Sequence, residues 1–327
     1  MKTTIVSLAL SALLLAGSCV QAQVGHKSAE AALQDVSGFS NPGSLTMQKY
    51  IPAGLPTGAP LVVVLHGCLQ NGPEYHEASG WREMADRHQF ALLVPSQNNS
   101  NHIAACFNWY RPEHIGRDRG ESASIISAAK KVIADHGLDD QRVFVTGLSA
   151  GGCMTSALLA VYPDFFRGGA IHAGVEYGCV HNPMVARECM QSPSQGSGEV
   201  IRKANPEYKG PWPKVLVFHG TDDRLVAFAH VDSHVNQWTN VHGTDNVADV
   251  TGSLGKMTVR HYQNSQGQNV VETYAINGMR HAVAIAPGTA EEQCGSAKSE
   301  YYADFGVCSS HIAAKSWGIT RKTPASE

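Results

Sequence analysis

The sequence predicts an α/β fold with a mainly parallel central sheet and helices on both of its faces. Short runs rich in Val, Leu and Ile alternate along the chain with longer stretches of helical character, and such alternation is typical of parallel sheets. The apolar runs are continuous, so both faces of these strands should be buried. The 32 glycines and 15 prolines follow no period, which excludes a collagen-like chain and suits a fold with many tight turns.

The first strong strand is Leu61–Leu65, a run that ends in His66-Gly67. Residues 23–45 are polar and lack a convincing period, so we expect an extended lead-in there. No repeat, low-complexity stretch or linker interrupts the chain, which predicts a single catalytic domain over residues 23–327. Further strands are predicted at residues 90–94, 142–146, 169–172, 214–218, 257–262 and 270–276, and helices at residues 74–88, 121–136, 152–161, 227–240 and 309–317.

The composition excludes two classes of protein. With 43% hydrophobic residues the chain is not a disordered tail protein. The 25 Lys and Arg against 28 Asp and Glu give a net charge of -3, which argues against nucleic acid as a partner. After the N-terminus no stretch approaches the roughly 20 apolar residues of a transmembrane helix. The sequence leaves the oligomeric state open.

The first 22 residues predict a secretory signal peptide. Lys2 precedes an apolar run over residues 5–16, and Val20-Gln21-Ala22 supplies a site for cleavage after Ala22. Cys19 offers lipid attachment as an alternative, but Ala16 stands where such a site usually has Leu. We therefore expect a secreted protein, in the periplasm or in the medium.

Export makes the cysteines candidates for disulfide bonds, because disulfides persist outside the cytosol. Seven of the eight cysteines follow the predicted cleavage site. Spacing does not fix their pairing, and none forms a C-x-x-C pair, so zinc or thiol-redox chemistry is not expected. The pairs we expect are Cys68 with Cys106, Cys179 with Cys189, and Cys294 with Cys308, with Cys153 as a free thiol in a buried helix.

The sharpest motif is Gly147-Leu148-Ser149-Ala150-Gly151, which lies between a predicted strand and an apolar helix. This is the context of a nucleophile elbow, in which a tight turn strains the serine and requires small neighbours. Ser149 is therefore the candidate nucleophile. The same pattern also occurs in plain glycine-rich turns, so the assignment depends on a later acid and histidine.

Both partners follow at the ends of predicted strands. The strand at 214–218 runs into His219-Gly220-Thr221-Asp222-Asp223, and a carboxylate at such a position can orient an imidazole. We favour Asp223 over Asp222 on the H-G-x-x-D-x-x-V spacing, which leaves Asp222 as a turn or capping residue. His281, in the loop after the strand at 270–276, is the candidate general base. The order Ser, Asp, His is that of the α/β-hydrolases.

Other histidines receive less weight, since the chain has 16 of them. His66 and His219 end predicted buried strands and are expected to be structural. His230 and His234 stand four apart on a predicted helix and could hold a metal, yet no third ligand is evident. We therefore expect no metal and no organic cofactor.

Acyl transfer also needs hydrogen-bond donors for the oxyanion of the tetrahedral intermediate. One should be the backbone N–H of Ala150, and the loop after the first strong strand offers the N–H of Cys68. A bond from Cys68 to Cys106 would bring Trp109 and Tyr110 beside the site. There they would either line a substrate pocket or merely pack beneath a long loop.

Several blocks between about residues 45 and 318 carry a family resemblance. They are His66-Gly67-Cys68 with Gln70, Gly80-Trp81, Cys106-Phe107-Asn108-Trp109, Arg119-Gly120-Glu121, Gly147–Gly152, Tyr162-Pro163-Asp164 and Ala173-Gly174 with Tyr177-Gly178. With these blocks in this order, the sequence resembles the polyhydroxybutyrate (PHB) depolymerase family of secreted esterases. The resemblance implies one α/β-hydrolase domain that hydrolyses carboxylic esters with Ser149, Asp223 and His281. That family also contains feruloyl and acetyl xylan esterases, which makes a plant polysaccharide ester the alternative to a polyester substrate.

Overall fold

The computed structural model describes Met1 and residues 32–180 and 183–321 of the 327-residue chain. The predicted signal peptide and its cleavage site lie outside the described residues, apart from Met1. The described residues from 32 onward belong to one compact unit. None of the described helices is long and apolar enough to span a membrane.

Twelve strands and nine α-helices are present in the described part of the chain. The strands are β1 (Gln34–Asp35), β2 (Thr46–Tyr50), β3 (Leu61–Leu65), β4 (Ala91–Ser96), β5 (Val143–Leu148), β6 (Gly168–His172), β7 (Lys214–Gly220), β8 (Val250–Leu254), β9 (Met257–Gln263), β10 (Asn269–Ile276), β11 (Val283–Ile285) and β12 (Tyr302–Asp304). The helices are α1 (Gly72–Ala78), α2 (Trp81–His88), α3 (Pro112–Ile115), α4 (Gly120–His136), α5 (Ala150–Val161), α6 (Ala186–Gln191), α7 (Gly198–Ala204), α8 (His230–His242) and α9 (Ser309–Ser316).

Ten of the strands form one sheet in the order β1-β2-β4-β3-β5-β6-β7-β10-β9-β8. The central strands from β4 to β10 are parallel to their neighbours. Antiparallel pairs extend the sheet at both edges. The predicted α/β fold with a mainly parallel sheet is therefore confirmed, and the carboxyl ends of its parallel strands meet along one edge.

Helices cover both faces of this sheet, as predicted. Along β3, Leu61, Val63 and Leu65 belong to one apolar cluster with residues of α4, α5 and α8. The alternating residues Val62 and Val64 belong to a second cluster with residues of α1, α2 and α9. Every residue of β3 is fully buried, which explains the continuous apolar run in its sequence.

The structure corrects the prediction of one helix over residues 74–88, because two helices, α1 and α2, occupy this region. The break falls at Gly80, whose φ of +83° lies in the left-handed region that favours glycine. A Cβ at Gly80 would lie 2.3 Å from Cys294 Sγ and 2.8 Å from the Gly295 amide nitrogen. The chain therefore needs glycine where a distant segment approaches the helix break.

Three strands of the central sheet escaped prediction: the two-residue β1, which lies within the expected extended lead-in, and β2 and β8. In β2, Gln48 and Lys49 interrupt the apolar pattern. In β8, which contains a glycine, all five residues are exposed. Strands at or beside the edge of a sheet bury fewer side chains than central ones, so their sequences carry a weaker hydrophobic signal.

All three expected disulfides are present. Cys68 is bonded to Cys106, Cys179 to Cys189, and Cys294 to Cys308. Cys153 is a buried free thiol. The predicted pairing is therefore confirmed.

Buried histidines make the fold sensitive to acid. Burial lowers the pKa of His66 to about 4, of His172 to about 3 and of His234 to about 4. Between an unfolded pKa near 6.5 and these values, the unfolded chain takes up protons that the folded chain does not. The free energy of unfolding therefore decreases as the pH falls through this window. Three such groups give it a slope of up to about 4 kcal/mol per pH unit. Urea unfolding at pH 7 and pH 5 should show this loss.

His172 supplies the control for this prediction. Its ring stacks on Phe218 with centroids 4.7 Å apart, and neither ring nitrogen has a hydrogen-bond partner among the described residues. Phe can replace the ring without removing a hydrogen bond. His172→Phe should therefore reduce the slope of the unfolding free energy against pH by the contribution of one group, roughly 1.4 kcal/mol per pH unit. A variant with the slope of the wild type would contradict the assignment.

Candidate active site

Ser149 lies on a strained turn between β5 and α5. Its φ of 56° and ψ of -118° are unusual for a residue with a side chain. A Cβ at Gly147 would lie 2.5 Å from Gly151 O, and one at Gly151 would lie 2.2 Å from Leu65 O. The two glycines therefore allow the close packing that this turn requires.

Asp223 and His281 meet beyond the ends of β7 and β10. Asp223 Oδ2 accepts a hydrogen bond from His281 Nδ1 at 2.7 Å. Its other oxygen accepts the backbone N–H groups of Leu225 at 2.8 Å and Val226 at 2.9 Å. Asp222 is exposed, and its carboxylate accepts a hydrogen bond from the Thr221 hydroxyl at 3.3 Å. The structure thus brings Asp223, and not Asp222, to the histidine.

A second histidine contacts the same carboxylate. His219 Nε2 lies 3.0 Å from Val226 O and 3.4 Å from Asp223 Oδ2. Because a carbonyl oxygen only accepts, this nitrogen carries the proton. Burial disfavours the charge of Asp223, but the bonds from His219, His281 and the Val226 amide outweigh it and hold the pKa of Asp223 well below its ordinary value. The expected structural role of His219 did not include this contact with the candidate acid.

One cavity of about 260 Å³ is shared by the candidate nucleophile and the candidate base. Ser149 and His281 both line it. The His281 side chain is 10% exposed, and its Nε2 has no hydrogen-bond partner within the described residues. The imidazole therefore presents a free nitrogen beside the cavity that holds the serine, as a general base for Ser149 requires.

The candidate oxyanion donors lie at the same cavity. Cys68 and Ala150 both line it, and neither backbone N–H donates a hydrogen bond to another residue that the structure describes. Two unpaired amides beside a serine are able to bind a developing negative charge.

The loop that carries Cys68 is held on several sides. The Gly67 N–H donates to Gln70 Oε1 at 2.7 Å, and Gln70 Nε2 donates to the Tyr302 hydroxyl at 3.0 Å. The Leu69 N–H donates to Ala104 O at 2.8 Å, and the disulfide fixes Cys68 to residue 106. The Cys68 amide is therefore preorganised.

The two predicted aromatic residues have different positions. Trp109 lines the cavity, whereas Tyr110 is not among the residues that line it. The Tyr110 ring packs edge-on against Trp109, with centroids 5.6 Å apart, and its hydroxyl lies 2.9 Å from His102 Nε2. The Tyr110 ring therefore packs against Trp109, and a role for Tyr110 in substrate binding stays a prediction. Sequence reasoning missed several other lining residues: Leu69, Leu148, Cys153, Met190, Leu225, Val226 and Tyr301.

The thiol of Cys153 also lines the cavity. Its Sγ accepts the Val175 N–H at 3.2 Å. Burial raises the pKa of this thiol to about 12. The thiolate is therefore not populated near neutral pH, which leaves Ser149 as the nucleophile candidate.

Three further histidines have internal partners. His66 Nδ1 lies 2.7 Å from Gly67 O, and its Nε2 accepts the Gln97 N–H at 3.0 Å. His230 Nδ1 contacts the Glu176 carboxylate, whereas His234 Nε2 lies 3.2 Å from Gly174 O. The two helix histidines thus bind different groups, and the described residues contain no cluster of three or more metal-ligating side chains.

The fold and the site together define an α/β-hydrolase. A serine follows a central strand of a mostly parallel sheet on a strained turn, and an acid and a histidine follow two later strands. An acetyl xylan esterase from Aspergillus awamori has the same fold, with a TM-score of 0.70 and 23% identity over 76% of this chain and 94% of that one.

Sequence comparisons place the chain within one group of these hydrolases. The family model described as esterase PHB depolymerase matches residues 45–261. Poly(3-hydroxyalkanoate) depolymerase C of Paucimonas lemoignei is 42% identical over 88% of this chain and 70% of its own length. An acetylxylan esterase of Coprinopsis cinerea is 32% identical over 75% and 67% of the two chains, and feruloyl esterase B of Talaromyces funiculosus is 30% identical over 77% and 74%. The chain belongs to the PHB depolymerase family of esterases and is a carboxylic ester hydrolase.

Proposed function

We propose that this protein is a secreted serine esterase that depolymerises a poly(3-hydroxyalkanoate), with Ser149, His281 and Asp223 as its catalytic triad. One observation carries the proposal: in a chain 42% identical to a poly(3-hydroxyalkanoate) depolymerase, the candidate nucleophile, base and oxyanion donors line one cavity. The 2.7 Å contact between His281 and Asp223 supports the role of the histidine.

The first half of the reaction forms an acyl-enzyme. His281 Nε2 takes the proton of the Ser149 hydroxyl as its Oγ attacks the ester carbonyl carbon. The carbonyl oxygen becomes an oxyanion that accepts hydrogen bonds from the Cys68 and Ala150 amides. The Asp223 carboxylate keeps Nδ1 protonated and stabilises the imidazolium. The tetrahedral intermediate collapses when His281 returns the proton to the leaving alkoxide, and the alcohol leaves.

The second half restores the enzyme. A water molecule gives a proton to His281 and attacks the acyl carbon of the Ser149 ester. A second tetrahedral intermediate forms in the same oxyanion site and collapses, with the proton returning to Ser149 Oγ. The carboxylic acid leaves, and no metal or organic cofactor takes part in this sequence.

The size and lining of the cavity favour a short acyl group. Its volume of about 260 Å³ lies below the range of roughly 300–1,000 Å³ for sites that hold drug-sized ligands. Leu148, Trp109 and Val226 are among the apolar side chains in its wall. A 3-hydroxyalkanoyl group with a short side chain suits this space better than a feruloyl group, which carries a substituted aromatic ring.

A second candidate function is deacylation of a plant polysaccharide. It is supported by the acetylxylan and feruloyl esterase relatives at 32% and 30% identity. Within this alternative, the small cavity favours acetyl over feruloyl esters.

The proposal includes export and a single catalytic domain over residues 23–327. The predicted signal peptide at residues 1–22 supports export. So do the three disulfides, since such bonds persist in oxidising compartments.

Hydrolysis rates on four substrates test the proposal. Purified residues 23–327 would be assayed on amorphous poly(3-hydroxybutyrate), methyl ferulate, acetylated xylan and p-nitrophenyl butyrate, with Ser149→Ala as the blank. We expect release of 3-hydroxybutyrate oligomers from the polyester. Activity on ferulate or xylan with none on the polyester would transfer the protein to the second candidate function, and inactivity on all four would refute ester hydrolysis.

A further inference from the structure

One wall of the catalytic cavity comes from a segment that the mechanism does not use. We call residues 183–194 the α6 segment, because they contain that helix. Met190, near the end of α6, is half-buried and lines the cavity together with Ser149. The α6 segment thus reaches the reaction site through a flexible, apolar side chain.

Met190 packs in a small apolar cluster beside the cavity. The cluster contains Cys153 of α5 and Val226 of the loop that carries Asp223, with Met190 and Trp109 packed against it. Cys153 follows the nucleophile by one helical turn, and its N–H donates to Ser149 O at 2.8 Å. An acyl chain that extends from Ser149 over Cys153 therefore meets Met190.

The main chain at Met190 is fixed relative to the Asp223 loop. The Ala227 N–H donates to Met190 O at 2.8 Å. The Gln191 side-chain amide donates to Leu225 O at 2.7 Å and to Arg224 O at 3.2 Å. A disulfide also joins the neighbouring Cys189 to residue 179. Met190 is therefore part of a rigid wall and not of a freely moving loop.

A buried carboxylate anchors the end of the α6 segment. Glu176 Oε1 accepts hydrogen bonds from the Ser194 N–H at 2.8 Å and the Ser194 hydroxyl at 2.7 Å. Its other oxygen contacts His230 Nδ1, and both side chains are fully buried. Removing either partner would leave a buried polar group unpaired, which is costly. This anchor fixes the end of the α6 segment to the interior of the protein.

We propose that Met190 closes the acyl-binding end of the cavity and sets the longest acyl group that the enzyme accepts. The inference rests on the proposed serine-esterase function. Beyond its Cβ, the Met side chain has three non-hydrogen atoms, so Met190→Ala makes room for an acyl chain about three atoms longer. Each methylene that such a pocket accepts or rejects changes kcat/KM by roughly 10- to 200-fold.

The test is a series of p-nitrophenyl esters from acetate to decanoate. In Met190→Ala we expect the ratio of kcat/KM for hexanoate to that for butyrate to rise at least about tenfold. Met190→Phe should shift the substrate preference in the opposite direction, from butyrate towards acetate. This second variant tests the proposal if Met190→Ala does not fold. Met184→Ala is the matched control, because Met184 is on the same segment, is 87% exposed and does not line the cavity. The chain-length ratio of kcat/KM in Met184→Ala should equal that of the wild-type enzyme.

The outcomes separate this inference from the proposed function. Wild-type chain-length ratios in both Met190 variants, with activity retained, would overturn the role of Met190 alone. A wild-type enzyme inactive on the whole series would refute the esterase function and this inference together.

Discussion

Replacing Ser149 with Ala is expected to lower kcat for ester hydrolysis by about 10⁵- to 10⁶-fold. Without Oγ no acyl-enzyme forms, and only the oxyanion donors and substrate binding still accelerate attack by water. The strained φ of 56° at this position is no harder for Ala than for Ser, since both carry a Cβ. The variant should therefore remain folded and still bind substrate.

Rates on p-nitrophenyl butyrate and thermal unfolding curves would check this result. Ser156→Ala is the matched control, because Ser156 lies on the same helix, is fully buried, and its hydroxyl has no partner among the described residues. It should keep nearly full activity. A Ser149→Ala enzyme within tenfold of the wild type would remove this serine from the mechanism.

The second large effect is expected for Asp223→Asn, with a fall in kcat of about 10⁴-fold. One carboxylate oxygen accepts from His281 Nδ1 and the other from the amides of Leu225 and Val226. An Asn side chain has only one accepting oxygen. Its NH₂ group must therefore face either the histidine, which reverses the imidazole tautomer, or two backbone donors. Either arrangement also removes the charge that stabilises the imidazolium.

Asp222→Asn provides the comparison at the adjacent residue. It makes the same chemical change on an exposed side chain whose carboxylate accepts a hydrogen bond from Thr221. We expect near wild-type kcat for Asp222→Asn on p-nitrophenyl butyrate. The reverse pattern, with Asp222→Asn inactive and Asp223→Asn active, would exchange the roles of the two acids.

The central part of the fold could be predicted because its sequence signals are local. Buried parallel strands such as β3 need continuous apolar runs, and the turn at Ser149 needs glycines at fixed spacing. The break at Gly80 was not predictable in this way. It depends on the approach of Cys294, which is distant in sequence.

The residues of the candidate site differ in the same way, because some have local sequence signals and others depend on contacts with distant parts of the chain. Ser149, Asp223 and His281 each follow a predicted strand, and the topology of parallel strands brings such positions together. Met190 and His219 reach the site through contacts across the fold: Met190 lies on the short helix α6, which was not predicted, and His219 looks like an ordinary strand end. Trp109 lines the cavity and Tyr110 does not, a difference that the sequence does not show because adjacency along the chain does not determine which side a ring faces.

The hydrogen bond from Gln70 to Tyr302 joins residues 232 positions apart. A nascent chain contains Ser149, Asp223 and His281 before Tyr302 has been made, because Tyr302 follows all three in the sequence. At that stage Gln70, which accepts the Gly67 N–H, lacks its second partner. The geometry of the Cys68 loop thus depends on a residue more than 200 positions later in the chain, and a variant truncated before Tyr302 would lack this support for the Cys68 amide.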